Sequence, residues 1–265
     1  MKKTFLLSCL MLAAMPVMAA YTGHVYVDKN KNGVFDQSEK PLAGIKVSDG
    51  LNVVETAADG SFTLPGHERE RFIFITTPSG YKTFNRHYHK IEKKQSGYDF
   101  GLIPYSGRIR KDGSHRYIHI TDTEIFNTEN HADWVNNVHD YARNEQAAFI
   151  IHTGDICYEK GLKAHIKLMN TENMDCPVFY CIGNHDLVKG KYGEELFESI
   201  YGPVYYSFDA GNVHYVVTPM PGGDHAPGYT SDDVCRWLKN DLAHIRPGTP
   251  VVVFNHDLLT YERSE

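Results

Sequence analysis

Polar side chains that could bind a metal ion follow four apolar runs in the second half of the 265-residue sequence. They are grouped as Asp122-Thr123-Glu124, Gly154-Asp155, Gly183-Asn184-His185-Asp186 and Asn255-His256-Asp257. Carboxylate, amide and imidazole groups together form a mixed oxygen and nitrogen ligand set, which suits Mn, Fe or Zn better than Ca. One such group would mean little, because turns use Gly and Asp for backbone reasons. Four of them indicate a shared site.

The apolar runs alternate with helical segments, and this alternation predicts where the polar groups meet. The runs lie at 117–121, 148–152, 178–182 and 251–254, and the helical segments lie near 130–143, 161–171, 191–200 and 231–243. The pattern predicts βαβ units with a largely parallel sheet, whose carboxyl edge is where ligands bind. The segment VYYSFDAGNVHYVV contains two β runs around a turn and predicts a hairpin.

The sequence before residue 107 follows a different pattern. Short alternating or β-branched runs are separated by Gly, Pro, Asn and Asp turns, which predicts a small all-β sandwich over residues 20–106. The α/β pattern then occupies residues 107–265.

The first 19 residues have the plan of a secretory signal peptide, with two lysines, an apolar run and small residues before the cleavage point. We therefore expect an exported protein, periplasmic or extracellular, without a transmembrane segment in the mature chain. The formal charge of −6 and the lack of a basic block argue against nucleic-acid binding. The sequence leaves the oligomeric state undetermined.

Four segments together resemble the calcineurin-like metallophosphoesterases. They are HTGDICYE, YCIGNHDL, YGPVYYSFDAGNVHYVV and VVVFNHDLL, within a resemblance that runs from about residue 115 to the end. The resemblance implies an α/β (α+β) four-layer sandwich, in which two β layers are flanked by helices. It also implies a dinuclear metal centre that hydrolyses phosphomonoesters or phosphodiesters.

The resemblance also implies a role for each polar group. Asp122 would bind the first metal, and Asp155 would bridge the two metals. Asn184 and His256 would bind the second metal. His185 would face the phosphate, where it would stabilise the transition state or protonate the leaving oxygen.

Two interpretations are open for Asp186. It is either a partner that orients His185 or an ordinary residue of the first helical turn. In such a centre, two cations about 4 Å apart hold the phosphoryl oxygens and activate a water for in-line attack.

This chain departs from the family pattern at two places. The family's first motif reads Asp-x-His, whereas this chain has Glu124 at the third position. We hypothesise that Glu124 is a metal ligand, directly or through water, and the alternative is a helix-capping Glu. The sequence also lacks the family's Gly-His-x-His motif, whose histidines supply one ligand to each metal. We therefore expect a catalytic domain that is incomplete at its C-terminus, and a fragment that is inactive or weakly active.

The segment DKNKNGVFDQSE matches a calcium-loop template. The candidate ligands are Asp28, Asn30, Asn32, Val34 through its carbonyl, Asp36 and Glu39. The β-like flanks exclude an EF-hand, and the loop resembles calcium loops of prealbumin-like or Sdr-type β modules. The alternative is a metal-free, Asx-rich hairpin.

The leading functional hypothesis is an exported hydrolase that acts on a small-molecule or envelope phosphoester through two metal ions (Mn, Fe or Zn). The alternative is a surface binding or adhesion protein whose phosphoesterase half is catalytically degenerate. The substrate itself is not encoded in the shared metal motifs, because selectivity comes from the surrounding loops.

Overall fold

The computed structural model describes residues 20–67, 69–84, 86–95, 97–106 and 108–257. The predicted signal peptide lies outside the described residues. None of the helices in the described ranges combines the length and the apolar character needed to cross a membrane.

The described part of the N-terminal region is all β. Its strands are β1 (Tyr21–Val27), β2 (Lys40–Pro41), β3 (Lys46–Ser48), β4 (Val53–Glu55), β5 (Ser61–Leu64), β6 (Phe72–Ile75), β7 (Tyr81–Thr83), β8 (Tyr88–Lys90) and β9 (Phe100–Pro104). One sheet has the order β2-β1-β9-β7, with β5 also paired to β1, and the other has the order β4-β3-β6-β8. Alternate apolar residues of both sheets, such as Val25, Val47, Ile73 and Leu102, share one buried core, as in a sandwich.

The second region alternates strands and helices. Its elements are β10 (Tyr117–Ile120), α1 (His131–Asn144), β11 (Phe149–His152), α2 (Tyr158–Leu168), β12 (Val178–Tyr180), a 3-10 turn (Asn184–Asp186), α3 (Glu195–Tyr201), β13 (Tyr206–Ala210), β14 (Val213–Val217), α4 (Ser231–Leu242) and β15 (Val251–Phe254). Strands β10, β11 and β12 form a parallel sheet in that order. Strands β13 and β14 form the predicted hairpin, and β15 adds to β14 in parallel.

The four apolar runs therefore belong to two sheets rather than to one. The two sheets pack face to face, with the Phe179 and Phe208 rings stacked at 3.6 Å between centroids. The expected α/β fold with several sheets, preceded by an all-β region, is confirmed. The assignment of the fourth run to the same sheet is wrong, because an apolar run carries no information about which strand it pairs with.

The β region and the α/β region share a buried core. Phe72, Phe74 and Tyr88 of the β region lie in one cluster with Trp237 and Tyr206. The contact extends to the backbone, since the Asp209 N–H donates to the carbonyl of Thr77 at 2.8 Å. Apolar burial between the two regions therefore stabilises them as one unit.

A buried polar network also crosses this interface. His214, which is 1% exposed, lies between two carboxylates, with Nδ1 2.6 Å from Asp209 and Nε2 2.8 Å from Asp241. Lys46 of the β region reaches the other oxygen of Asp209 at 3.3 Å. Burial by itself lowers the pKa of His214, but the hydrogen bonds to Asp209 and Asp241 outweigh it and raise the pKa to about 9.

We predict that His214 makes folding stability fall in mildly alkaline solution. A histidine whose folded-state pKa exceeds its ordinary value of 6.5 contributes stability that is fully present below pH 6.5 and is lost as the pH rises through about 9. The shift corresponds to about 3 kcal/mol of unfolding free energy. Urea unfolding should give the wild type a lower free energy of unfolding at pH 10 than at pH 6. The part of this difference that comes from His214 should be absent in His214→Gln. His24→Gln, on β1, should behave as the wild type, and equal pH dependence in His214→Gln would contradict the assignment.

Candidate metal centre

The carboxyl ends of β10, β11, β12 and β15 bring the predicted polar groups together. The loop after β10 lies against the loop after β11, because the Asp122 N–H donates to the Gly154 carbonyl at 3.0 Å. The Glu124 N–H likewise donates to the Asp155 carbonyl at 2.9 Å. Two loops from neighbouring strands are thereby fixed to each other by their backbones.

The loop after β11 also approaches the loop after β12 closely. Gly154 has φ +101°, and a Cβ atom there would lie 2.4 Å from the nitrogen of Gly183. Any side chain at this position would therefore push the two loops apart, so the glycine is required by the contact as well as by the positive φ.

Asp155 lies at the centre of the site. Its side chain is 4% exposed, and Oδ1 accepts the backbone N–H of His185 at 3.0 Å. Oδ2 lies 3.4 Å from Nε2 of His256. Burial by itself raises the pKa of Asp155, but the hydrogen bonds from these two histidines lower it below its usual range. The carboxylate is therefore kept charged in a buried position.

His256 presents Nε2 to the same place. Its Nδ1 lies 2.8 Å from the Thr153 carbonyl, so Nδ1 carries a proton and donates it there. Nε2 lies 3.2 Å from Oδ1 of Asn184. The hydrogen bond to Asp155 raises the pKa of His256 to about 9. A ring held through one nitrogen by a backbone carbonyl, with the other nitrogen among oxygen ligands, is the usual arrangement of a metal-binding histidine.

The candidate ligand atoms fall into two clusters that share Asp155. Asp122, Asp155 and His256 form one, and Glu124, Asp155 and His185 form the other, with ligand atoms within 4.8 Å of one another in each. The donor chemistry fits a divalent transition metal in each cluster.

The clusters separate Asp122 from Glu124, since Asp122 groups with His256 and Glu124 groups with His185. The backbone explains the separation. Asp122 has φ +52° and Glu124 has φ +41°, so this segment lacks the extended conformation in which residues i and i+2 point to the same side.

His185 is oriented by Asp224. Its Nδ1 lies 2.8 Å from Oδ2 of Asp224, and this hydrogen bond raises the pKa of His185 above its ordinary value. The sequence indicates that the loop 222–225 could border a substrate, but it gives no sign that Asp224 contacts His185. The two residues are 39 positions apart, and their contact depends on how β12 and β14 pack in separate sheets.

Asp186 holds loops together and has no described contact with the His185 ring. Its side chain is fully buried, and its oxygens accept the N–H groups of Cys157 at 2.9 Å and Gly183 at 3.0 Å. Burial raises the pKa of Asp186 to about 6. The geometry therefore places Asp186 under the site, and the predicted orienting contact with His185 is made by Asp224 instead.

Two further histidines lie behind the site. His152 is fully buried, and its Nε2 lies 2.9 Å from Oγ1 of Thr123, between the candidate ligands Asp122 and Glu124. His119 lies 2.9 Å from the hydroxyl of Thr153. Both support the loops from the sheet side, and neither lies in a candidate metal cluster of the described residues.

The N-terminal loop folds around its own backbone. Asp28 accepts the N–H groups of Asn32 at 3.2 Å and Gly33 at 2.9 Å, and Glu39 accepts that of Lys29 at 2.9 Å. The other predicted side-chain ligands also take part in local hydrogen bonds, from Asn30 to Asp36 at 3.0 Å and from the Val34 N–H to Asn32 at 2.8 Å. Asp28 and Glu39 are buried, whereas Val34 is exposed.

A parallel sheet whose strand ends carry clustered carboxylates and histidines, with a second sheet packed behind it, defines a metal-dependent hydrolase of the phosphoesterase type. The family model for calcineurin-like phosphoesterase matches residues 115–264, and the model for the N-terminal domain of calcineurin-like phosphoesterase matches residues 29–104. The chain therefore belongs to the calcineurin-like phosphoesterase family. A search of curated proteins returns no significant match.

We predict that Glu124→Ala weakens metal binding. Its carboxylate lies in the cluster with Asp155 and His185, so its removal should lower Mn²⁺ affinity at one site by about 10-fold or more. Calorimetric titration of the metal-free protein with Mn²⁺ measures this. Glu129→Ala, which removes an exposed carboxylate further along the same loop, is the matched control. Unchanged affinity and stoichiometry in Glu124→Ala would show that Glu124 is not a ligand. A helix-capping role is excluded already, because α1 begins at His131 and its N-cap residue is Asn130.

Proposed function

We propose that the protein is an exported hydrolase that cleaves phosphomonoesters or phosphodiesters at a dinuclear metal centre. The observation that carries the proposal is the buried Asp155 carboxylate, which belongs to both donor clusters and is suited to bridge two cations. A single carboxylate that touches two donor sets is the requirement of a two-metal site.

Five residues would hold the two metals, which we propose to be Mn, Fe or Zn. They are Asp122, Glu124, Asp155, Asn184 and His256. His185, whose ring lies in the cluster of Glu124 and Asp155, is proposed to act on the substrate and not as a metal ligand. When bound, the metals polarise the phosphoryl oxygens and lower the pKa of the attacking water. Asn184 fits this set because its Oδ1 is directed at Nε2 of His256, where both would face one cation.

His185 is proposed to act on the substrate. Asp224 occupies Nδ1, which leaves Nε2 to approach a phosphoryl or leaving-group oxygen. The hydrogen bond to Asp224 raises the pKa of His185, and a ring held in this way is suited to stabilise negative charge and to supply a proton to the departing oxygen. The backbone N–H of His185 donates to Asp155, which fixes the imidazole beside the metal cluster.

The predicted signal peptide supports export to the periplasm or the extracellular space, where the substrate would be a small-molecule or envelope phosphoester. The alternative remains a catalytically degenerate surface binding protein.

Turnover assays on the full-length protein with and without Mn²⁺, on p-nitrophenyl phosphate and on bis-p-nitrophenyl phosphate, test the proposal. We expect Mn²⁺-dependent release of p-nitrophenol, which His185→Ala should slow by about 100-fold or more, with Mn²⁺ affinity retained. Asp155→Asn should lose Mn²⁺ binding itself. Glu129→Ala, at an exposed residue outside both clusters, is the control and should retain activity.

Two outcomes would contradict parts of the proposed hydrolase function. Equal rates in His185→Ala and the wild type would overturn the role of His185. Stoichiometric Mn²⁺ binding without turnover of either ester would favour the degenerate binding protein.

We further propose that the N-terminal loop binds calcium. Asp28 and Glu39 are 1% and 5% exposed, and neither forms an ion pair within the described residues. The buried hydroxyl of Tyr26, near these carboxylates, also lacks a hydrogen-bond partner in the described part of the chain. Buried acidic groups without a cation are costly, and a bound Ca²⁺ would offset that cost.

Calcium binding should be weak, with a dissociation constant on the order of 10⁻⁴ to 10⁻³ M as in extracellular modules. Calorimetry with Ca²⁺ on the intact chain measures it, and Asp28→Asn should abolish the heat. Asp59→Asn, an exposed aspartate in the same region, is the control. No calcium heat in the wild-type protein would leave the loop as a metal-free hairpin.

A further inference from the structure

Glu194 is a buried carboxylate at the junction of three segments. Its side chain is fully buried, and its two oxygens accept the N–H of Gly228 at 2.9 and 3.1 Å. Nη2 of Arg71, from the β region, lies 2.9 Å from the same carboxylate. A fully desolvated carboxylate is stable only when its oxygens are hydrogen-bonded and its charge is paired, and here Gly228 and Arg71 meet both needs.

Gly228 belongs to the segment 219–230, which connects β14 to α4 and which we name the Asp224 loop. On the side of the metal centre, the Asp224 N–H donates to the carbonyl of Asn184 at 3.1 Å. Further along the loop, Glu194 holds Gly228, and the neighbouring Gly193 N–H donates to the carbonyl of Ala226 at 2.8 Å. The loop is thus anchored at Asp224, which orients His185, and again at Ala226 and Gly228.

Arg71 is the cation that pairs with Glu194, the carboxylate that holds Gly228. It also lies 3.1 Å from Glu198, which is 5% exposed, and its guanidinium sits 4.5 Å from the centre of the Tyr192 ring. Without Arg71, two carboxylates would be buried side by side with no ion-pair partner among the described residues, which is strongly unfavourable. Burial already raises the pKa of Glu198 to about 8, with Arg71 acting against the rise. Loss of Arg71 would therefore release Glu194 from its position under the Asp224 loop.

We propose that Arg71 is a positioning residue for catalysis. It acts from the β region through Glu194 and Gly228, and it keeps the Asp224 loop in the place where Asp224 orients His185. The inference rests on the proposed function of His185. It makes the N-terminal region a working part of the hydrolase rather than a separate attachment.

Amide hydrogen exchange and steady-state kinetics on the full chain test this inference. In Arg71→Met, exchange at residues 222–229 should rise about 10-fold or more while exchange in β10, β11 and β12 stays as in the wild type. With p-nitrophenyl phosphate and Mn²⁺, kcat should fall by about 10-fold to 100-fold with KM within about two-fold, because a misplaced catalytic group affects the transition state more than binding. Arg71→Lys should restore most of kcat, since it keeps a cation beside Glu194.

Arg69→Met is the matched control. Arg69 lies two residues away and also bridges to the α/β region, through Asp233, but its side chain is 63% exposed. Arg69→Met should leave amide exchange at residues 222–229 and the steady-state kinetics as in the wild type, because exposed ion pairs contribute little to stability.

Three results would overturn the inference. They are unchanged exchange at residues 222–229 in Arg71→Met, a rise in exchange spread over the whole chain, and a kcat that Arg71→Lys does not restore. The exchange measurement needs no turnover, so failure of the proposed hydrolase activity is recognised separately, by the absence of turnover in the wild type.

Discussion

The burial of one charged carboxylate, that of Asp155, constrains the rest of the site. A carboxylate that is 4% exposed must be compensated, and each of its neighbours does part of this work. The backbone N–H of His185 donates a hydrogen bond to the Asp155 carboxylate, and Nε2 of His256 lies beside the same carboxylate. The hydrogen bond to Asp155 raises the pKa of His256 to about 9. The same negative potential is what would draw two metal ions into the site.

The arrangement of the loops follows from this constraint. Each loop must bring its ligand to Asp155 over a short distance, so the backbones lie in direct contact and leave no room for side chains between them. Asp186 joins two of these loops, because its oxygens accept N–H groups from both. The position of the metal ligands is therefore set by the backbone and by buried hydrogen bonds, which makes the site rigid before any ligand binds.

The sequence predicted well the elements and the meeting of polar groups at the strand ends, because apolar periodicity and the position after a strand are local properties. The contact of Asp224 with His185 and that of Arg71 with Glu194 were not predictable in this way. Each joins residues far apart in the chain, and each depends on how two sheets or two regions pack. The division of Asp122 and Glu124 between two clusters was also hidden, because left-handed backbone at non-glycine residues has no reliable sequence signal.

The left-handed residues at the site have a consequence for laboratory evolution. In the segments 121–125 and 153–158, which follow β10 and β11, five non-glycine residues adopt positive φ, namely Asp122, Glu124, Asp155, Cys157 and Tyr158. Each such residue costs about 1 kcal/mol or more, and glycine or asparagine would remove much of that cost. Selection for heat resistance alone would therefore favour substitutions at these positions, which include candidate metal ligands. Such substitutions would raise stability and lower activity. A library that keeps these five positions fixed and varies the surface of the β region would avoid that trade.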